Sequence, residues 1–147
     1  MSKHLAHIQW HRSSTKFDYS SYNRDHEWIF EGGSRVTASA APAFLGNSAF
    51  INPEEAFVAT LSSCHMLTFL ALCAKTQITV NSYTDTAIAY LEKNKAGVLA
   101  ITRAELHPQC EFGSDRPDRK TLARLHERAH HECFIANSVL TNISVVF

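Results

Sequence analysis

A long uncharged segment near the middle of the chain constrains the fold more than any other feature. Residues 56–74 form a run of nineteen without Asp, Glu, Lys or Arg, close to the ~20 residues that a bilayer-spanning helix needs. Polar side chains interrupt the run, among them Ser62, Ser63 and His65. Because the flanking sequence reads as strands of a globular domain, the run predicts a core helix, buried on nearly all sides, and no membrane span.

Signals for the start of this helix precede the uncharged run. Asn52 is a suitable N-cap, and Pro53 fits the first helical position. Glu54 and Glu55 then place two carboxylates where the positive end of the helix dipole favours them. The helix is therefore predicted to run from Pro53 to about Lys75.

The first third of the chain alternates apolar and polar residues, as strands do. HLAHIQW (4–10) and HEWIFEGG (26–33) carry apolar residues at every second position, and SRVTASAAP (34–42) reads as a third strand. These strands are expected to form an antiparallel meander. The connection SSTKFDYSSYNRD (13–25) is longer than a tight hairpin needs, and such loops often hold functional groups.

The second half of the chain returns to strands and then adds a second helix. β-Branched residues recur through 77–112, where EKNKAG (92–97) marks a hairpin turn between two long strands. SDRPDRK (114–120) breaks that pattern, and NISVVF (142–147) reads as a short closing strand. Between them, apolar residues recur at helical spacing on one face: Leu122, Leu125, Ala129 and Cys133.

The element order βββ-α-ββ-α-β predicts an α+β fold with largely antiparallel sheets wrapped around two core helices. With 147 residues, 45% of them hydrophobic, we expect a single domain over residues 1–147. Fourteen basic residues balance fourteen acidic ones, so the chain lacks the positive field that attracts nucleic acid or anionic membranes. No signal-peptide stretch is found at the N-terminus, and a cytoplasmic location is expected.

The chain contains four cysteines, and none of them forms a C-x-x-C pair: Cys64, Cys73, Cys110 and Cys133. Free thiols are expected in a reducing compartment. Cys64 sits in the central helix, where a buried cysteine is most often an inert small hydrophobe. It becomes a nucleophile at neutral pH only if a nearby cation favours the thiolate. Arg24, in the long first loop, is a candidate cation, and Glu54 is a candidate carboxylate partner for it.

Cys133 raises the same question from the second helix. Two thiols on two helices of one core could meet and form a reversible disulfide, as in a peroxide-reducing site. Spacing alone leaves this open. Cys73 and Cys110 are expected to lie outside the chemistry, because Cys73 faces a different side of the helix from Cys64 and Cys110 sits at a strand end.

Two other hypotheses, a metal site and a cysteine hydrolase, involve some of the same residues. His126, His130 and Cys133 fall at i, i+4 and i+7, a spacing that could bind a transition metal, but three residues do not complete a tetrahedral site. No metal or cofactor is therefore predicted. A cysteine hydrolase would use Cys64 with His65 and an Asn such as Asn137, yet adjacent helix residues point about 100° apart, which aims His65 away from the thiol.

Two segments together resemble a known family. NPEEAFVATLSSCHMLTFL (52–70), followed by CFIANSV (133–139), is similar to the two signature segments of the OsmC/Ohr family of organic hydroperoxide reductases and osmotically induced proteins. The resemblance extends over nearly the whole chain through the order of strands and helices. It implies an OsmC-like intertwined homodimer with two active sites at the interface.

The resemblance also implies roles for four residues. Cys64 would be the peroxidatic cysteine, Cys133 the resolving cysteine, and Glu54 the glutamate that pairs with a catalytic arginine. Arg24 is the best match for that arginine, with Arg12 and Arg35 as alternatives.

The implied activity is a thiol-dependent peroxidase that reduces organic hydroperoxides, with hydrogen peroxide as a further substrate. It proceeds through a sulfenic acid and a Cys64–Cys133 disulfide, which a dithiol, such as a lipoylated protein, reduces. The aromatic residues Phe17, Tyr19 and Tyr22 are candidate walls for a pocket that takes an acyl-chain hydroperoxide. The alternative is a metal-binding or non-catalytic dimeric ligand-binding protein of the same fold.

Overall fold

The computed structural model describes residues 1–113 and 116–147, so the first two residues of the predicted break at 114–120 lie outside the described part. The chain divides into two compact units, Met1–Ala56 and Phe57–Phe147, and each is described by itself. The prediction of one domain over 1–147 stays a prediction.

The first unit contains the predicted antiparallel meander. Strand β1 pairs with β2, and β2 pairs with β3, in the spatial order β1-β2-β3. Gly33, with φ of 85°, supplies the left-handed residue of the turn between β2 and β3. The three predicted strands are thereby confirmed, with these bounds: β1 Ala6–Gln9, β2 His26–Phe30 and β3 Arg35–Ala38.

Helix α1 (Pro53–Lys75) has the predicted start and end. Its first turn is closed by a reciprocal pair of hydrogen bonds: the Glu55 backbone N–H donates to Asn52 Oδ1 at 2.9 Å, and the Asn52 N–H donates to Glu55 Oε2 at 3.0 Å. Two backbone donors that the helix itself leaves unsatisfied are thus paired. The sequence signals located this helix because capping is a local interaction.

The predicted burial of α1 on nearly all sides is wrong for this chain. Only 28% of its most apolar stretch is buried, and the buried residues fall on one face. The exposed face carries small and apolar residues: Thr60, Ser63, Leu67, Ala71 and Ala74. Other residues of the chain cover one side of α1. The helix therefore carries more apolar side chains than its buried face accommodates. Among the described residues, α1 is the helix long and apolar enough to cross a membrane, a test that core helices also pass.

The described residues of the second unit form five strands in two sheets. β4 pairs with β7 in one sheet, and the other has the order β5-β6-β8, in which β8 runs parallel to β6. Helix α2 lies between β7 and β8 in the chain. The bounds are β4 Val80–Asp85, β5 Ile88–Lys93, β6 Leu99–Leu106, β7 Pro108–Phe112, α2 Arg119–Glu132 and β8 Asn142–Val145.

The two long strands predicted in 77–112 are each divided into two, so four strands stand where the sequence predicted two. Asp85 is the physical reason. Its Oδ1 accepts the backbone N–H of His107 at 2.6 Å, and its Oδ2 accepts the Ser62 hydroxyl at 2.5 Å. The carboxylate thus accepts a backbone N–H that would otherwise need a partner on a neighbouring strand. It does so at the point where each long strand passes from one sheet to the other. The predicted turn is correct, since Gly97 N–H closes onto the Asn94 carbonyl at 2.8 Å.

Helix α2 begins where Asp118 caps it, its Oδ1 accepting the Thr121 N–H at 2.6 Å. The predicted apolar face is buried, with Leu122, Leu125 and Ala129 against Phe69 and the end of α1. The α+β class with two helices and mainly antiparallel sheets is confirmed.

A pair of buried histidines connects the two helices. His65 of α1 is 1% exposed and His126 of α2 is 3% exposed. His65 Nε2 and His126 Nδ1 share a hydrogen bond of 3.0 Å. The sequence interpretation missed this pair, because it treated His65 as a polar interruption of a core helix and His126 as a candidate metal ligand.

The histidine pair predicts an acid-sensitive stability. Burial lowers the pKa of both His65 and His126 to about 4, against 6.5 for an ordinary histidine, and the charge of His130 acts on His65 in the same direction. The unfolded chain therefore binds more protons than the folded one between pH 6.5 and 4. The free energy of unfolding is expected to fall across that window by about 1.4 kcal/mol per pH unit for each proton. Urea unfolding at pH 7 and pH 5 measures it, and a slope unchanged in His126→Phe would contradict it.

Candidate active site

The thiols of Cys64 and Cys133 lie next to each other in the second unit. Cys64 is half-buried on α1, and Cys133, 1% exposed, is the C-cap residue that follows α2. Burial raises the pKa of the Cys133 thiol to about 11, and the neighbouring Cys64 thiol acts in the same direction. Both cysteines are free thiols. Of the sequence-predicted site residues, these two are brought together.

The local backbone fixes the buried thiol. The last turn of α2 leads into a 3-10 turn at Ala136–Ser138, and the Ala136 N–H donates to Cys133 Sγ at 3.4 Å. Asn137 Nδ2 donates to the Cys133 carbonyl at 3.0 Å. Cys133 is therefore a protonated thiol at neutral pH, held in place by its own segment, while Cys64 is the more accessible member of the pair.

Arg24 is held by its own loop in the first unit. Its Nη1 donates to the Tyr22 carbonyl at 2.8 Å and its Nη2 to the Tyr19 carbonyl at 2.6 Å. The guanidinium also lies over the Tyr22 ring, 4.0 Å from its centroid. Asn23, the preceding residue, clamps the loop by accepting the Ser13 N–H at 2.9 Å and donating to the His11 carbonyl at 2.9 Å. The sequence predicted that Arg24 lies in a loop, and these hydrogen bonds fix the conformation of that loop.

A cavity of about 410 Å³ surrounds the Arg24 side chain in the first unit. Trp10, Phe17 and Tyr22 form aromatic walls, and Pro53, the first residue of α1, belongs to the lining. Tyr19, the third aromatic residue predicted for such a pocket, is 70% exposed. The first loop thus provides a mainly apolar recess with one guanidinium, a combination suited to a small polar group on an apolar body.

Glu54 follows Pro53 and carries a buried carboxylate oxygen, Oε2, without a hydrogen-bond partner among the described residues. The predicted pairing of Arg24 with Glu54 is not present as an ion pair in the described part of the chain. A buried carboxylate oxygen without a donor is costly. It therefore marks a position where a donor from a guanidinium would be stabilising.

The two alternative arginines have different surroundings. Arg35, on β3, pairs across the strands with Glu27, Nη1 to Oε2 at 3.0 Å, and both side chains are exposed. Arg12 is an exposed residue of the β1–β2 connection. Neither lines the cavity that holds Arg24.

Two histidines that the competing hypotheses require, His65 and His126, are hydrogen-bonded to each other in the core. Among the described residues, no group of three His, Cys, Asp or Glu side chains is placed to hold a metal ion. His126 points into the core towards His65, which removes it from a metal-binding helix face. Because His65 Nε2 makes this same hydrogen bond, it is not free to act as the base of a Cys64 hydrolase.

Cys73 and Cys110 lie apart from this thiol pair. Cys73 is a core residue, and burial raises the pKa of its thiol to about 11, with the neighbouring Cys110 contributing in the same direction. Cys110 packs partly buried against that core. Their predicted place outside the chemistry stays a prediction.

Comparison with known proteins identifies the family of the chain. The model of the OsmC family, described as OsmC-like protein, matches residues 46–147. An OsmC-like protein of unknown function from Vibrio cholerae is similar in structure, with 45% identity, 99% of each chain covered and a TM-score of 0.94. No curated protein sequence matches the chain.

Two solved structures whose names state a role are similar to this chain in fold. An organic hydroperoxide resistance protein from Elizabethkingia anophelis is 20% identical, with a TM-score of 0.74 over 99% of this chain and 93% of its own. The organic hydroperoxide resistance protein OhrB of Bacillus subtilis is 15% identical, with a TM-score of 0.66 over 98% and 95%. The matched family model, together with the Vibrio cholerae relative, shows that this chain belongs to the OsmC-like family.

Proposed function

We propose that this protein is a thiol-dependent peroxidase that reduces organic hydroperoxides, and hydrogen peroxide more slowly. The observation that supports it is the proximity of the Cys64 and Cys133 thiols, close enough for Cys64 to raise the pKa of Cys133. Membership of a family that includes organic hydroperoxide resistance proteins supports a redox role. The cytoplasm, a reducing compartment, is the proposed location.

The proposed reaction begins at Cys64, the more accessible thiol. Its thiolate attacks one peroxide oxygen, so that an S–O bond forms and the O–O bond breaks. The departing alkoxide takes up a proton and leaves as an alcohol, and Cys64 is left as a sulfenic acid. The peroxide is thereby reduced by two electrons, which the sulfur supplies.

Cys133 acts in the second step. Its sulfur attacks the sulfenic sulfur of Cys64, the S–S bond forms, and the hydroxyl leaves as water after taking the proton of the Cys133 thiol. A dithiol, for which a lipoylated protein is the proposed source, then reduces the disulfide by exchange and is itself oxidised to a disulfide.

Arg24 is the proposed activator of the first step. A guanidinium has donors beyond the two that Tyr19 and Tyr22 accept, and these could orient the peroxide and stabilise the developing oxyanion. The aromatic recess around Arg24 would hold the apolar part of the hydroperoxide. Glu54 is the proposed carboxylate partner, because its Oε2 is buried with no donor in the described part of the chain.

The test is peroxide consumption by the purified protein with a dithiol, comparing an organic hydroperoxide with hydrogen peroxide. Turnover faster with the organic substrate is expected. Cys73→Ser serves as the matched control, because it removes a thiol of α1 outside the proposed chemistry and should retain turnover. A wild-type protein that consumes neither peroxide above the rate of the dithiol alone would contradict the proposal.

The three candidate arginines can be separated by substitution. Arg24→Ala is expected to lower kcat/KM for the organic hydroperoxide by about a hundredfold, the usual cost of losing an oxyanion donor. Arg12→Ala and Arg35→Ala should each change kcat/KM by less than about threefold, because their side chains are exposed and lie outside the Arg24 cavity. Steady-state kinetics of the three variants provides the measurement. Loss of activity in Arg35→Ala alone would move the role to that residue.

A homodimer is also proposed, on the resemblance and on the exposed face of α1. Leu67, in the middle of that face, is 61% exposed, and a partner chain would cover it. Leu67→Glu is therefore expected to convert the protein to monomers, whereas Leu99→Glu, at a residue 54% exposed on β6, should not. Sedimentation velocity gives the mass. A wild-type protein that sediments as a 16.5 kDa monomer would reject the dimer.

A further inference from the structure

The two helices that carry the reacting thiols are connected by one unusual polar contact. His65 directly follows Cys64 on α1, and His126 lies on α2 seven residues before Cys133, the C-cap residue of that helix. The 3.0 Å hydrogen bond between their rings joins α1 to α2 inside the core, where an apolar pair would avoid the cost of burying polar nitrogens. A contact of this kind adds directional specificity at a cost in stability.

The geometry of the two rings is tightly defined. Their planes differ by 5° and their centroids are 5.4 Å apart, so with a 3.0 Å bond the imidazoles lie edge to edge in one plane. Phe69 packs against the His126 ring at 4.3 Å between centroids, and Phe147 packs against it at 4.4 Å. His126 therefore cannot rotate without leaving either its hydrogen bond or its aromatic neighbours.

The tautomers follow from the partners. His65 Nδ1 is buried without a hydrogen-bond partner among the described residues. A buried N–H without an acceptor would be more costly than a bare ring nitrogen, so His65 carries its proton on Nε2 and donates it to His126 Nδ1.

We infer that the His65–His126 hydrogen bond is a positioning device that sets the placement of α1 against α2 and so holds Cys64 and Cys133 at disulfide-forming separation. The inference rests on the proposed function for its catalytic meaning. A disulfide tolerates little error in the separation and direction of its two Cβ atoms. A displacement of either helix by a fraction of a turn would therefore separate the thiols while leaving the core packed.

Thiol–disulfide exchange with oxidised and reduced dithiothreitol tests the inference without any peroxide. Two protein thiols are oxidised to the Cys64–Cys133 disulfide while one disulfide of the reagent is reduced, and the equilibrium constant reports how well the thiols are placed. His126→Phe keeps the ring between Phe69 and Phe147 but removes the bond. It is expected to lower that constant by about three- to tenfold, the size of one hydrogen bond.

Three variants separate positioning from general destabilisation. His126→Asn offers an acceptor near the place of Nδ1 and should restore at least part of the constant. His131→Phe makes the same chemical change at an exposed position of α2 and should leave it unchanged. Leu122→Ala removes buried core from α2 and lowers the stability but keeps both histidines, and it should also leave the constant unchanged.

The outcomes distinguish this inference from the proposed function. A constant in His126→Phe within twofold of wild type, or an equal fall in Leu122→Ala, overturns the positioning role. If His126→Phe fails to fold, His65→Leu gives the same comparison, with His65→Gln, whose amide can donate from the place of Nε2, as its rescue. A wild-type protein that forms the disulfide in dithiothreitol but consumes no hydroperoxide would refute the peroxidase and leave the positioning intact.

Discussion

Cys64→Ser is expected to lower the rate of hydroperoxide reduction by about a thousandfold or more. A serine hydroxyl at this position is not ionised at neutral pH, and its oxygen is a poor nucleophile towards a peroxide oxygen. The side chain is half-buried, and serine differs from cysteine by a single atom, so the fold should be retained. Peroxide consumption with excess dithiol measures the rate.

Two comparisons make the Cys64 result specific. Cys110→Ser removes another partly exposed thiol and should retain full turnover. Thermal unfolding of Cys64→Ser should resemble that of the wild type, which would exclude misfolding as the cause. Full activity in Cys64→Ser would reject Cys64 as the peroxidatic residue.

Cys133→Ser is expected to separate the two halves of the cycle. The first oxidation of Cys64 should occur at about the wild-type rate, because Cys133 takes no part in cleaving the O–O bond. Steady-state turnover should fall about tenfold or more, since an intramolecular thiol is replaced by a reductant from solution. Stopped-flow mixing with one equivalent of hydroperoxide gives the first rate, and the dithiol-coupled assay gives the second.

The fate of the oxidised thiol supplies a second readout for Cys133→Ser. A sulfenic acid without a resolving partner persists, can be trapped by a dimedone reagent, and is oxidised further to a sulfinic acid by excess peroxide. The wild type should trap poorly because Cys133 condenses with the sulfenic acid. Equal trapping in the two proteins, together with equal turnover, would remove Cys133 from the mechanism.

Local interactions explain which parts of the fold were predictable. The start of α1 depends on Asn52 and Glu55, three residues apart, and the meander depends on alternation within each strand. The division of 77–112 into four strands depends on Asp85 reaching the His107 backbone across 22 residues, which no local pattern signals. The exposed face of α1 could not be predicted either, because a long uncharged run is typical of a core helix that is buried on nearly all sides.

The candidate site divides in the same way. Residue types identified Cys64 and Cys133 as candidates, but their contact depends on how α1 and α2 pack, and only the family resemblance suggested it. Arg24 was located to its loop, whereas the contacts that hold it, with the Tyr19 and Tyr22 carbonyls, depend on the folded loop. The His65–His126 pair was not predicted from the sequence, because 61 residues separate the two histidines and each had an ordinary local explanation.

The most direct measurement is a peptide map of the wild-type protein by mass spectrometry after reaction with one equivalent of an organic hydroperoxide. All four cysteines begin as free thiols, so the protein itself supplies the competing sites. The proposed mechanism predicts one cross-link, between the peptides that contain Cys64 and Cys133, with Cys73 and Cys110 still reduced. Unreacted thiols throughout, or oxidation confined to Cys110, would contradict it.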